Sequence, residues 1–191
     1  MSKRINKLPK TTTLLILLFW IFIGVVSCET PGADSKESTV QVSFSEDASN
    51  QSLDGRLLLM FAKNDKTEPR FQINPGFNGQ LIFGINVEDM AAGESVVLDE
   101  SVFGFPLSSM AEMEPGEYYA QALLHVYETF NLSTGQQVKL PMDNGEGQQW
   151  NRSPGNLYSK PVKISITEKG KMNLNLVMDQ VIPEIEEPED T

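Results

Sequence analysis

The stretch from Met113 to Tyr127 reads Met-Glu-Pro-Gly-Glu-Tyr-Tyr-Ala-Gln-Ala-Leu-Leu-His-Val-Tyr, and it decides the fold. Pro115-Gly116 is a strong turn signal, and the eleven residues after it are rich in aromatic and apolar side chains with no further Gly or Pro. That pattern predicts a long strand entered through a tight corner. Alternation along a strand puts Tyr118, Ala120, Ala122, Leu124 and Val126 on one face and Tyr119, Gln121, Leu123, His125 and Tyr127 on the other. The first set makes a core face. The second is too aromatic for an ordinary wet face, so a loop of the chain itself or a partner is expected to lie on it.

Outward from this strand, short strand signals recur in both directions. Val40, Val42 and Phe44 alternate; Arg56 to Ala62 forms an apolar run that ends at the turn residues Asn64-Asp65; Leu81 to Val87 and Val96 to Leu98 follow. Further on, Val162, Ile164 and Ile166 alternate before the turn Glu168-Lys169-Gly170-Lys171, and Met172, Leu174, Leu176 and Met178 alternate after it, which predicts a hairpin. Val138 to Leu140 adds a possible short strand. No window of helical length shows a 3.6-residue apolar period, and no internal repeat is present. Ser109 and Glu112 have capping-box spacing, enough for one turn between Ser109 and Met113. The class is therefore all-β, a sandwich of about seven to eight strands with a long ordered loop.

One motif sharpens this. Met110, Met113, Pro115-Gly116, Tyr118 and Ala120 resemble the corner and sixth strand of immunoglobulin-like and fibronectin type III domains. The resemblance implies that Pro115 and Gly116 form a structural corner, that the Tyr118 hydroxyl ties back to it, and that Ala120 points inward. The alternative is a Tyr simply buried at a strand start, and the sandwich follows either way.

The two ends of the chain read differently from its body. Residues 1–27 carry Lys3, Arg4, Lys7 and Lys10 with no acid, then an apolar run from Leu14 to Val26, too short for the about 20 residues of a membrane span. Val25-Val26-Ser27-Cys28 resembles the lipobox of bacterial lipoproteins, which implies removal of residues 1–27 as a signal peptide and acylation of Cys28. Cys28 is also the sole cysteine, so no disulfide within the chain competes for it. The competing readings are an uncleaved membrane-tethered helix and an incidental Cys after an ordinary signal. The expected partner is thus a lipid bilayer, and the expected location the cell envelope. Glu29 to Glu37 reads as an acidic flexible tether, so residues 28–37 hold the body off the membrane. It loosely resembles the surface-export signals of some Gram-negative lipoproteins, which favours the outer membrane or cell surface over the inner membrane.

Without residues 1–27 the chain has eleven Lys and Arg against 26 Asp and Glu, a net charge of −15. So acidic a surface repels nucleic acid. Residues 38–182 suffice for one domain with a real core. Residues 183–191, Pro-Glu-Ile-Glu-Glu-Pro-Glu-Asp-Thr, form a proline-spaced acidic stretch that reads as a linker or a solvated tail.

Candidate chemistry is sparse. There is no Gly-x-Ser-x-Gly elbow, the only Cys sits in the lipobox, and His125 is the only histidine, placed mid-strand on an aromatic face. One His and a lipidated Cys cannot furnish three or four zinc ligands, so neither metal nor cofactor is expected. Asp143-Asn144-Gly145-Glu146-Gly147 has oxygen ligands but not the spacing of an EF-hand, and a plain turn is the simpler reading. Acidic pairs are plentiful, and in so acidic a chain they read as solvated charges before glycosidase carboxylates.

The segment Glu128 to Lys160 is 33 residues long and mostly without strand signals, yet it carries Phe130, Trp150, Asn151, Arg152 and Tyr158. Long loops in compact domains are functional or disordered, and this aromatic content favours an ordered flap. Two readings stand. Trp150 and Tyr158 offer a stacking platform for a sugar or other small ligand with Asn151 and Arg152 as donors, or Trp150 folds back onto Tyr119, Leu123 and Tyr127 as a lid.

A second resemblance covers about Ser38 to Pro188. Pro115 to Phe130, the run Met142-Asp-Asn-Gly-Glu-Gly-Gln-Gln-Trp-Asn-Arg-Ser-Pro-Gly-Asn-Leu-Tyr-Ser159, and Val181-Ile182-Pro183 resemble the N-terminal region of large secreted bacterial esterases whose catalytic part is an α/β-hydrolase. In that family the hydrolase follows the acidic linker, and none of the 191 residues corresponds to its nucleophile, acid or histidine. The resemblance implies a non-catalytic accessory or interaction module for an esterase-like hydrolase. The alternative is a free-standing carbohydrate- or small-ligand-binding lipoprotein.

Overall fold

A computed structural model describes residues 38–72, 80–167 and 171–186. The leader, Cys28 and the tether lie outside the described residues, as does the acidic tail beyond residue 186. No helix among the described residues is long and apolar enough to cross a membrane.

The described residues form eleven strands: β1 (Thr39–Phe44), β2 (Leu53–Ala62), β3 (Leu81–Met90), β4 (Val96–Leu98), β5 (Gly104–Phe105), β6 (Gly116–Asn131), β7 (Gln137–Leu140), β8 (Leu157–Tyr158), β9 (Val162–Ile166), β10 (Asn173–Met178) and β11 (Gln180–Val181). A three-stranded sheet runs β10-β1-β4. An eight-stranded sheet runs β11-β8-β6-β2-β3-β5, with β7 and β9 also paired to β6. The result is an all-β sandwich with β6 as its spine. Along one edge β6 pairs antiparallel with β2 from Tyr119 to Tyr127. Along the other it meets β9 at Gly116–Ala120, β8 at Leu123–Leu124 and β7 at Glu128–Asn131 in succession.

The alternation of β6 makes the core. Tyr118, Ala120, Ala122 and Leu124 are all buried, together with Leu57, Leu59 and Phe61 of β2 and Phe83 of β3. Val40, Val42 and Phe44 of β1 and Leu176 and Met178 of β10 fill the same core from the small sheet. Each large side chain so buried contributes about 1.5 to 3 kcal/mol. The methyl groups of Ala120 and Ala122 leave room for the rings of Phe61, Phe83 and Tyr118, the first of which meets the other two edge to face at 6.1 and 6.4 Å.

Tyr118 anchors the entry to β6. Its hydroxyl donates to the Glu114 carbonyl at 2.9 Å, and the Lys63 ammonium lies 3.7 Å from its ring centre. Gly116 holds φ at 147°, a conformation that suits a residue without Cβ. The single turn before it is a 3-10 turn, Met110–Glu112, capped by Ser109, whose hydroxyl oxygen accepts from the Ala111 amide.

Three sequence expectations need correction. Strands exceed seven or eight, because two-residue pairings such as β5, β8 and β11 carry too little pattern to be seen. The 33-residue loop is not one loop: β6 runs on to Asn131 and hairpins into β7, leaving the irregular part between Leu140 and Leu157. The hairpin across residues 168–171 does not form. β9 joins β6 in the large sheet, whereas β10 joins β1 in parallel in the small one. The inward row Leu174, Leu176 and Met178 matches the inward row Val40, Val42 and Phe44. Burying both rows against the large sheet outweighs the local pairing that a short turn would favour.

Candidate functional site

The outer face of the large sheet holds the second row of β6, and the chain's own segments cover its middle. Leu123 is fully buried there in a small cluster with Met60 of β2 and Ile182, against which Trp150, Tyr158, Leu58 and Ile82 pack. Trp150 is half-buried and so acts as part of a lid.

Beside this cluster lies a polar clasp. Gln121 is 0% exposed, and both ends of its amide are used. Its oxygen accepts from the Arg70 amide at 3.0 Å, and its nitrogen donates to Glu68 Oε2 at 2.7 Å and to the Ser159 carbonyl at 2.8 Å. Arg70, on the 3-10 turn Pro69–Phe71, donates through Nε to Glu68 at 2.8 Å and through Nη1 to the Asn151 carbonyl at 3.1 Å. Asn151 returns a bond from Nδ2 to the Arg70 carbonyl at 3.2 Å. The Arg70 guanidinium stacks 3.9 Å from the centre of the Tyr158 ring and 4.3 Å from that of Phe71.

Two further residues fasten the segment to β6. The Asn156 amide accepts from the Val126 N–H and donates to the Trp150 carbonyl, and the Ser159 hydroxyl accepts from the Ala122 N–H. Fully satisfied buried polar groups hold one arrangement of a loop, because each broken bond would strand a donor or acceptor away from water.

Of the four ligand candidates, then, Trp150, Asn151 and Tyr158 meet in this clasp, and Asn151 is spent on Arg70. Arg152 is exposed, its guanidinium 5.7 Å from the Phe71 ring centre. The run after Met142 folds as a turn. Asp143 accepts from the Gly145 and Gly147 amides, which hold its carboxyl below the usual range, the Gly145 bond most strongly. Glu146 accepts from the Asn144 amide at 2.7 Å. No group of three His, Cys, Asp or Glu gathers among the described residues.

Further along β6 the outer face opens. His125 meets Tyr127 edge to face at 5.6 Å. Burial pushes the His125 pKa down, and the nearby Glu146 carboxylate opposes that shift. Tyr127 also lines an open cleft of about 480 Å³ between the β2–β3 end of the sheet and the β6–β7 hairpin, with Asn86, Glu88, Thr129, Gln137 and Lys139. Lys139 bridges Asp54 at 2.9 Å and Glu88 at 3.6 Å. The Asp54 carboxyl is held below its ordinary value, first by the Asp89 amide and then by Lys139. A smaller cleft of about 290 Å³ lies between β6 and the turn segment, lined by Glu128, Asn144, Ser153 and Glu184 among others.

No family model, curated protein or solved structure matches the chain.

Sequence reasoning missed Arg70, Gln121, Asn156 and Ser159. Gln121 did carry a signal: an amide flanked by Ala120 and Ala122 in the middle of an apolar strand marks a buried polar contact. The others gave none, since the partners that fix their place, Asn151 for Arg70, Val126 for Asn156 and Ala122 for Ser159, lie far away in the chain.

Proposed function

We propose that the chain is a non-catalytic, lipid-anchored β-sandwich of the cell envelope that serves as an accessory or interaction module for an esterase-like hydrolase. The observation that carries this reading is the setting of His125. The sole histidine stands mid-strand on β6 with its ring packed edge to face on Tyr127, a setting that supports a packed imidazole over a general base. The resemblance of residues 38–188 to the non-catalytic region of secreted esterases supports the same role. The exit from the sandwich adds a physical support. Ile182 is buried and its amide donates to the Asn156 carbonyl, while Glu184 to Glu186 run exposed beyond it. The clasp thereby fixes the point from which the acidic linker departs.

A ligand platform at Trp150 and Tyr158 draws less support, because Arg70 occupies one face of Tyr158 and Trp150 packs on Leu123 and Met60.

Two measurements test the proposal. Mass spectrometry of the purified chain should find an acylated Cys28 at its N-terminus, and a free thiol or a retained Met1 would sink the anchor. Mixed with the catalytic region of an esterase of the resembled family, the full chain should co-elute in size exclusion and shift kcat/KM. Separate elution with unchanged kinetics removes the accessory role.

A further inference from the structure

We infer that the cleft under the β6–β7 hairpin binds a neutral saccharide, with Tyr127 as its stacking surface and Asn86, Thr129, Gln137 and Lys139 as its hydrogen-bonding groups. The inference is independent of the hydrolase partner, since none of these residues belongs to the clasp.

The lining comes from four strands, β2 at Gly55, β3, β6 and β7, that meet only in the folded sheet. Register places Asn86 of β3 opposite Arg56, and Arg56 opposite His125, two residues before Tyr127. On the hairpin, Thr129 stands opposite Lys139 and Asn131 opposite Gln137, so these side chains share the outer face with Tyr127. The volume of about 480 Å³ lies within the about 300 to 1,000 Å³ of small-ligand sites.

The chemistry of the lining selects the ligand. A sugar ring offers an apolar C–H face to an aromatic ring and a rim of hydroxyls to planar amides and charged groups. Tyr127 supplies the ring, and His125 at 5.6 Å fixes its orientation before any ligand arrives. The Asn86 amide oxygen is held by Arg56 and the Gln137 amide nitrogen by Asn131, so each amide is oriented. That leaves the Asn86 nitrogen, the Gln137 oxygen and the hydroxyls of Thr129 and Tyr127 without a bonded group among the described residues, two amide positions of opposite sense and two hydroxyls of either. Of the side chains lining the cleft only Val87 is aliphatic, which gives an apolar peptide side chain little to bury against.

Charge excludes anions. Lys139 is already shared between Asp54 and Glu88 and Arg56 is bonded to Asn86, so two cations meet two carboxylates and no cation is left over for an anion on a strongly acidic chain.

Saturation-transfer NMR on the full chain, held in a sugar-free zwitterionic detergent, tests this with cellohexaose, mannohexaose, xylohexaose and maltohexaose, and with an oligogalacturonate as the anionic control. At least one neutral oligosaccharide should receive saturation and shift the His125 ring resonances, which belong to the only histidine. Tyr127→Ala should weaken that binding about tenfold, the loss of one aromatic contact. Gln137→Ala, at an exposed side chain, should weaken it without touching the fold. Silence across the neutral panel, binding of the anion alone, or binding that survives both substitutions but is lost with Trp150→Ala would each overturn the assignment.

Discussion

The Arg70 guanidinium lies 3.9 Å from the centre of the Tyr158 ring while its Nη1 donates to the carbonyl of Asn151, so one side chain from a short turn ties down a segment more than halfway along the chain. Arg70 is 8% exposed, and its carboxylate partner Glu68 is about a third exposed, so water relieves part of the cost of breaking the pair. Arg70→Met should destabilise the domain by about 2 kcal/mol, mostly through the Asn151 carbonyl left without its donor and the Glu68 carboxylate left with Gln121 alone. Arg70→Lys should recover less than half of this, because an ammonium cannot stack flat and fork at once. Urea midpoints at pH 7 measure both, and a midpoint unchanged in Arg70→Met would show the clasp to be ornamental.

Trp150 packs on Leu123, Met60 and Ile182 but remains half-buried. Trp150→Ala should therefore cost about 2 kcal/mol, short of the about 3 to 5 for a wholly buried large aromatic and well beyond the about 0.5 of a surface change. A loss within the surface range, read from the same urea curves, would mean that the side chain does not serve as a lid.

Tyr118→Phe removes one hydroxyl and leaves the Phe61 contact in place. The Glu114 carbonyl then loses its donor, and the expected cost is about 1 to 2 kcal/mol. Thermal unfolding should show a lower Tm with unchanged far-ultraviolet dichroism. A variant as stable as the parent would place that carbonyl in contact with water.

His125 predicts a pH dependence. Burial favours its neutral form, so its pKa in the folded chain lies below the about 6.5 of the unfolded chain. Between the two values the unfolded chain binds more protons, and stability rises with pH. The contribution is complete above about pH 6.5 and is lost as the pH falls through that value toward the folded pKa. NMR titration of the single histidine should give a midpoint below about 6.5. His125→Gln should flatten the stability slope just below neutrality, and an equal slope in both proteins would assign it to the carboxylates.

The sequence by itself determined which face of each long strand is core. Period-two alternation is a local property, and Tyr118, Ala120, Ala122 and Leu124 sit where it places them. The corner at Pro115-Gly116 and the Ser109 cap were legible for the same reason, since Tyr118 reaches back only to Glu114 and Ser109 only forward to Ala111. So, in part, was the need to cover the outer face of β6: Leu123 is buried under Trp150 and Ile182, whereas Tyr127 lines an open cleft. Only the tertiary structure decided which strands pair. β9 and β10 are neighbours in the chain with matching alternation, yet they lie in different sheets, because the Leu174, Leu176 and Met178 row of β10 reaches the core beside Val40, Val42 and Phe44 of β1 while β9 pairs with β6. It also decided what the polar residues do. Asn151 looked like a ligand donor and is held by Arg70, whereas Gln121 found Glu68 and Ser159 from opposite sides of the chain. The cleft at Tyr127 had no signature along the chain at all, because its walls are side chains of β3, β6 and β7 that the sheet register alone brings together.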